Sequence, residues 1–232
     1  MFPERRDDEP VQSLLSRDSI KWHIDEGNIV ISPFKDENLK TVSYDVGLGP
    51  NFYRSSPERV LLYNPWDEKV VRKFWGDPIV APTALAAFNS LGRELPEHVD
   101  PNDQIIFLQP NELILAHTDE FIGGRKVATT MMKARSSMGR SGITVCKCAG
   151  WGDVGYINRW TMEIKNELSV PNLLIVGERI AQIAFYQVDP INGGDYSKEE
   201  GKYQTSSDLE ELKRKWIPEA MLPKLWKDRE NK

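Results

Sequence analysis

From residue 104 to residue 188 the chain is a succession of short apolar segments, alternating or rich in β-branched residues, broken by Gly, Pro and Asn. A period of two places every second side chain on one face, the pattern of a half-buried strand. Seven such segments occupy this stretch, at 104–108, 112–117, 126–133, 143–148, 157–165, 172–176 and 180–188, and two more precede it at 28–32 and 41–48. Strands of this length and number without intervening helices predict a mainly β chain, an antiparallel barrel or sandwich.

The flanks read differently. Residues 1–12 are charged and Pro-bearing and are expected to form a disordered tail. Ser16 is a good N-cap for a short helix, Asp18 suits its positive end, and Gly27 stops it. Ile20, His23 and Ile24 then share the inward face. Residues 13–206 are read as one barrel domain carrying an insertion at about 56–103. That insertion holds six prolines, the aromatics Tyr63, Trp66 and Trp75, and a short helix at 83–91. In the extension 207–232, Leu209, Leu212 and Trp216 have helical spacing, with Ser207 or Asp208 as cap and Pro218 as breaker. A second short helical stretch is expected to run to Trp226.

With 40% hydrophobic and 28% charged residues, the 232-residue chain has the composition of a globular protein with one sizeable core. No apolar run approaches the ~18 residues that span a bilayer, and residues 1–10 lack the apolar stretch of a secretion signal. The expected location is cytoplasmic, with no membrane partner. A net charge of −5 argues against non-specific nucleic-acid binding. Cys146 and Cys148 are expected as reduced thiols sharing one strand face, a spacing that gives poor disulfide geometry. His23, His98 and His117 are scattered, and no Cys or His cluster has zinc spacing.

Candidate chemistry concentrates between Lys133 and Arg179, where seven basic residues meet four acidic ones. Arg135, Ser136, Ser137 and Arg140 set two planar cations and two hydroxyls on a pliable, Gly-containing stretch suited to phosphate. Glu163 lies between Met162 and Ile164 in an apolar strand, where desolvation would raise its pKa into the range of a proton shuttle. The bland alternative is a surface pair with Lys165 or Arg140. Asp153, flanked by Gly152 and Val154-Gly155, could accept a sugar hydroxyl or simply stabilise a turn. Tyr156 offers a ring to pack against a sugar, or to fill the core.

Taken in order, these elements resemble the dCTP deaminase branch of the dUTPase superfamily. Its R-S-S-x-x-R stretch is matched by Arg135, Ser136, Ser137 and Arg140. Ala149 stands four residues before Asp153, and Glu163 follows that Asp by ten. The opening from Leu15 to Gly49, the run Gly177-Glu-Arg-Ile-Ala-Gln182 and the later Gly201-Lys-Tyr-Gln204 are also similar to the family. The resemblance covers residues 15–54 and 105–204. Departures are Ala134 for Gly, Gly152 for an apolar residue, Val154 for Pro and Asn158 for Gly, the last read as tolerating positive φ. The insertion has no evident counterpart, and a helical extension replaces the usual Gln-rich tail.

The resemblance implies a dUTPase-like distorted β-barrel or jelly roll and hydrolytic deamination of dCTP to dUTP and ammonia. Glu163 would move protons between water and pyrimidine, Ser136 and the Ala149 carbonyl would hold the water, and Arg140 would stabilise the site. Asp153 would hold the 3′-hydroxyl, beside Tyr156, and Thr161 would read the base edge. Arg135, Ser137, Gln182, Tyr196, Lys202 and Gln204 would complete substrate binding. Magnesium would enter only with the triphosphate, through its oxygens and water. A catalytic zinc is not expected, since the H-x-E and P-C-x-x-C signature is absent. The family further implies a homotrimer with sites at subunit interfaces. Alternatives are a bifunctional enzyme that also cleaves dUTP, a dUTPase, or a silent nucleotide-binding protein on the same barrel.

Overall fold

The computed structural model describes residues 14–191, 194, 196, 202–204 and 206–230; the expected N-terminal tail at 1–12 lies outside them. In chain order the elements are helix α1 (Arg17–Asp25), strands β1 (Ile29–Ser32) and β2 (Tyr44–Arg54), helix α2 (Glu68–Trp75), strand β3 (Ile79–Val80) and helix α3 (Ala84–Ser90). Strands β4 (Ile105–Leu108), β5 (Leu113–Gly124) and β6 (Ala128–Ala134) follow, then helix α4 (Ser136–Arg140) and strands β7 (Ile143–Thr144) and β8 (Trp151–Gly152). The chain continues through β9 (Ile157–Asn166), β10 (Asn172–Ile175) and β11 (Arg179–Gln187) to helices α5 (Leu209–Lys215) and α6 (Lys227–Glu230).

The main sheet is antiparallel in the order β7-β9-β5-β2-β11-β6-β8, with β1 added to β5 and β3 to β2; β10 and β4 form a separate ribbon. Ile143 near one end of this path and Met132 near the other bury in one apolar cluster with Tyr44, Phe52, Ile122, Trp160, Met162 and Phe185. A sheet whose remote strands share a core must curl around it, and the expectation of a mainly β, barrel-like chain holds. The helix α1 opens as expected: the Ser16 side chain accepts from the Ser19 N–H, and Ile20 and His23 are buried.

Two strands outrun their expected ends. The strand β2 continues to Arg54 and β5 to Gly124, each through a register shift, between Leu48 and Phe52 and between His117 and Phe121. Bulges at these points absorb residues that would otherwise break the alternation. The segment 143–148 is corrected: only Ile143–Thr144 pairs, because Cys146 and Lys147 take positive φ values of 61° and 41°. The two thiols therefore do not share a strand face; Cys146 is buried and Cys148 exposed.

The insertion contains α3 where helix was expected, and also α2, which the sequence reading missed. The helix α2 is capped by Asp67, whose carboxylate accepts from the N–H groups of Lys69 and Val70. The extension forms α5 with Asp208 as its cap. Its second helix is corrected: a single 3-10 turn spans Pro218–Met221, and α6 begins only after Trp226. Insertion and extension meet each other against the barrel. Val71 and Trp75 pack with Met221, Leu222 and Trp226 on Tyr53 and Leu115, while Leu212 packs on Phe121 and Ile157.

Candidate active site

The strand β9 alternates strictly from Asn158 onward. Trp160, Met162 and Ile164 turn into the core, while Thr161 and Glu163 are half-buried on the other face. Opposite them in register lie His117 and Leu115 of β5. On this face Glu163 and Thr161 join Ala149, Asp153, Tyr156 and Tyr196 around a cavity of about 480 Å³. Six residues expected in the site from sequence are thus gathered by one chain.

The carboxylate of Glu163 has one oxygen, Oε2, buried without a hydrogen-bond partner among the described residues. Desolvation raises its pKa above the ordinary carboxylate value, opposed by a backbone hydrogen bond and by the charge of Lys147. The bland reading, a surface pair with Lys165 or Arg140, is not what forms: Lys165 pairs with Glu167 at 2.9 Å. The Cys146 N–H donates to the Glu163 carbonyl at 3.2 Å and the Ala149 N–H to the Cys146 carbonyl at 2.7 Å. The left-handed pair Cys146-Lys147 turns the chain here and brings Ala149 to the cavity wall.

Next to it, the turn after β8 is closed by the Tyr156 N–H donating to the Asp153 carbonyl at 3.0 Å, which leaves the Asp153 side chain exposed at the rim. Gly155 takes a φ of 93° there. Gly152 has a steric reason: a Cβ at this position would lie 2.4 Å from the Trp160 ring and 2.3 Å from the Thr130 hydroxyl. The indole of Trp160 occupies that space, anchored by its N–H to the Ile122 carbonyl at 2.8 Å. Asn158 is corrected. It does not take positive φ but lies in β9, donating from Nδ2 to the Tyr203 carbonyl at 2.6 Å.

Other expected residues are placed elsewhere within one chain. Ser136, Ser137 and Arg140 are exposed on α4, and none lines the cavity that holds Glu163. Arg135 is engaged inside the fold, donating to the Arg179 carbonyl at 3.0 Å and lying 3.4 Å from the buried Asp45 carboxylate, which also receives Arg179 at 3.1 Å. Gln182 lies on β11 opposite Lys133 and Asp45. Gln204 is buried with both ends of its amide used: Oε1 accepts from the Ile157 N–H at 2.7 Å, and Nε2 donates to the Gly155 carbonyl at 2.9 Å. It staples the turn rather than facing the cavity. Lys202 pairs with Asp228.

The sequence reading missed part of the cavity's wall. Leu113 and Leu115 could have been found as the alternation partners of Glu163 on β5. Trp75, Met221 and Pro223 come from the insertion and the extension, and no local pattern announces them; Tyr203 comes from the Gly201-Lys-Tyr-Gln204 run but was not expected in the site. Among the described residues no three His, Cys, Asp or Glu side chains gather as a metal site, and no helix is long and apolar enough to cross a membrane.

The curled antiparallel sheet has a solved counterpart. The fold is similar to that of the 2′-deoxycytidine 5′-triphosphate deaminase from Agrobacterium tumefaciens, with a TM-score of 0.53 and 15% identity. The match covers 77% of this chain and 49% of the other, so the chain spans about half that chain's length. This likeness shows the fold alone. The family pattern described as dCTP deaminase-like matches residues 14–188, and the chain belongs to that family. Among its relatives is a "dCTP deaminase, dUMP-forming" from Methanobrevibacter smithii, 31% identical over 75% of this chain and 79% of the relative. A protein of the same description from Methanopyrus kandleri is 31% identical over 82% of this chain and 90% of its own length.

Proposed function

We propose that the chain hydrolyses the 4-amino group of dCTP, with Glu163 as the proton carrier. The observation that carries this reading is a desolvated carboxylate with an unpartnered oxygen in a cavity that also holds Ala149, Asp153, Tyr156 and Thr161. Water attack at C4 needs a base that takes a proton and an acid that returns one to the ring and the leaving amine. A single carboxyl with a raised pKa serves both steps. Asp153 at the rim suits a sugar hydroxyl, and Tyr156 and Tyr196 meet edge to face with centroids 5.2 Å apart, forming one aromatic wall.

Ser136, Ser137 and Arg140 would enter from a neighbouring copy, in a homotrimer whose sites lie between subunits. Their exposure on α4, away from their own chain's cavity, supports that arrangement. Magnesium would arrive with the triphosphate, held by its oxygens and water. Mixing Glu163→Gln with Arg140→Ala subunits tests the shared site. Activity should reappear in the mixture, and a mixture as inert as its parents would place both residues in one chain's site.

A second reading concerns the product. The relatives from M. smithii and M. kandleri are named dUMP-forming, which favours cleavage of the phosphoanhydride after deamination over release of dUTP, the product expected from sequence. Incubation with dCTP, scored for ammonia, dUTP, dUMP and pyrophosphate, separates the two. Absence of ammonia with every cytosine nucleotide tried would sink the deaminase reading.

A further inference from the structure

The segment 149–153 alternates: Ala149, Trp151 and Asp153 are exposed, while Gly150 and Gly152 are buried. Close packing dictates both glycines. A Cβ at Gly150 would lie 2.3 Å from the Met132 carbonyl oxygen, and one at Gly152 would strike the Trp160 ring. The backbone is thus pressed against β6 and has room for side chains only on its outer face, where residues two apart line up. All three outward residues line the cavity that holds Glu163.

Trp151 stands out among them. It is 56% exposed, and it is the one exposed aromatic among the described residues of that lining. Burial of an indole is among the larger gains open to a side chain, so a ring left open at a cavity wall is a place for the flat face of a ligand. The ring is also held. Tyr186 stacks on it with centroids 6.2 Å apart and planes 27° apart. The hydroxyls of Thr129 and Thr130 donate to the Gly152 carbonyl at 2.7 and 3.3 Å, fixing the backbone beside it.

We propose that Trp151 is a further substrate-contacting residue, a platform on which the planar base of a pyrimidine nucleotide stacks. The assignment rests on the proposed function, in which Glu163 and Ala149 mark the reacting end of the cavity and Asp153 the sugar end. At about 3.3 Å per extended residue, Trp151 stands about 7 Å along the segment from Ala149 and from Asp153. A nucleoside laid between those ends has its base across the indole. Stacking engages the face of a base and not its edge, so Trp151 supplies affinity and leaves the choice of base to the groups that read the edge.

The test is calorimetry in the Glu163→Gln background, in which dCTP is not deaminated. The probes are dCTP and 1,2-dideoxyribose 5-triphosphate, which has the sugar and phosphates without a base. Trp151→Ala should weaken dCTP binding by about five- to 150-fold, the span of one base–aromatic stack, and leave the abasic probe unchanged. Trp151→Phe should restore most of the loss. A side chain with only a structural role would weaken both probes alike. Bound dCTP should also quench tryptophan emission, and part of that quenching should be missing from Trp151→Phe. This second readout decides the matter should the abasic probe bind too weakly to compare. Equal losses for the two probes, undiminished dCTP affinity in Trp151→Ala, quenching unchanged in Trp151→Phe, or no dCTP binding at all overturns the proposal. The two readings fail separately. Absence of ammonia from the wild type removes the deaminase chemistry, while the contrast between the probes still decides whether a base lies on Trp151.

Discussion

Glu120 on β5 and Glu163 on β9 sit on adjacent strands of one sheet, and each has a carboxylate oxygen buried without a hydrogen-bond partner among the described residues. Burial raises the pKa of both, that of Glu120 to about 7. Their surroundings differ. Glu120 is fully enclosed, its Oε2 accepting the Gly47 N–H at 3.0 Å across the irregular β2–β5 seam. Glu163 opens on a cavity large enough for a nucleobase, with Lys147 close enough to lower its pKa against the desolvation. Desolvation alone does not make a catalytic group. The carboxyl must also meet a space where water and a reacting atom fit.

Substituting each carboxyl by its amide breaks the comparison if it is wrong. In Glu163→Gln, ammonia release from dCTP should fall by about 10²–10⁴, the span of general acid–base catalysis, with nucleotide binding retained in calorimetry. Glu120→Gln should leave turnover near that of the wild type. Equal activity losses in the two variants would mean that burial, not the cavity, was the relevant feature.

The second effect is on stability and has a definite sign. The folded pKa of Glu120 lies above the ordinary value of 4.5. Its contribution to stability is therefore fully present below about pH 4.5 and is lost as the pH rises through about 7. Glu120→Gln stays neutral, so its gain over the wild type should grow by about 2 kcal/mol between pH 5 and pH 8. Urea unfolding at the two pH values measures it. Glu163→Gln should show less of this growth, because its half-buried carboxylate is partly hydrated. A pH-independent difference for Glu120→Gln would show that this carboxyl does not titrate within the fold.

A third effect concerns how the cavity's far wall is held. Asn158 fixes the Tyr203 backbone and Gln204 staples the turn at Gly155. Gln204→Ala removes two buried hydrogen bonds and should cost about 1–3 kcal/mol. It should also raise KM more than it lowers kcat, since it loosens the wall and leaves Glu163 in place. A kcat loss comparable to that of Glu163→Gln would make Gln204 part of the chemistry.

What the sequence made legible follows from how local each signal is. The alternation of β9 put Glu163 on the face opposite Met162 and Ile164, and the family resemblance, with its ten-residue spacing, joined it to Asp153, which lines the same cavity. The Ser16 cap and its helix were readable for the same reason. Bulges defeated the alternation: after His117 the triplet Thr118-Asp119-Glu120 looks like a polar turn, yet Thr118 and Glu120 are fully buried inside β5. The left-handed backbone at Cys146 and Lys147 was hidden too, since neither residue type advertises that conformation. Least legible was the apolar wall. Trp75 and Met221 are separated by most of the chain and meet only because insertion and extension bury each other on Leu115.

Lys147 sharpens the comparison with the smallest expected effect. It is exposed, and its charge opposes the desolvation of Glu163 by favouring the ionised form. Glu163 must be ionised to take a proton from water, so activity should fall as the pH drops through its raised pKa. In Lys147→Ala the opposing charge is gone, the pKa rises further, and the acid limb of kcat/KM should move to higher pH. Added salt should move the wild-type limb the same way and leave that of the variant nearly fixed. The plateau rate at high pH should hardly change, because the carboxylate is ionised there in both proteins. For Glu120 the corresponding charge, Lys35, is only half-exposed and is opposed by Asp119, so its lever is weaker. An acid limb unmoved by Lys147→Ala would mean that the group titrating in the profile is not Glu163.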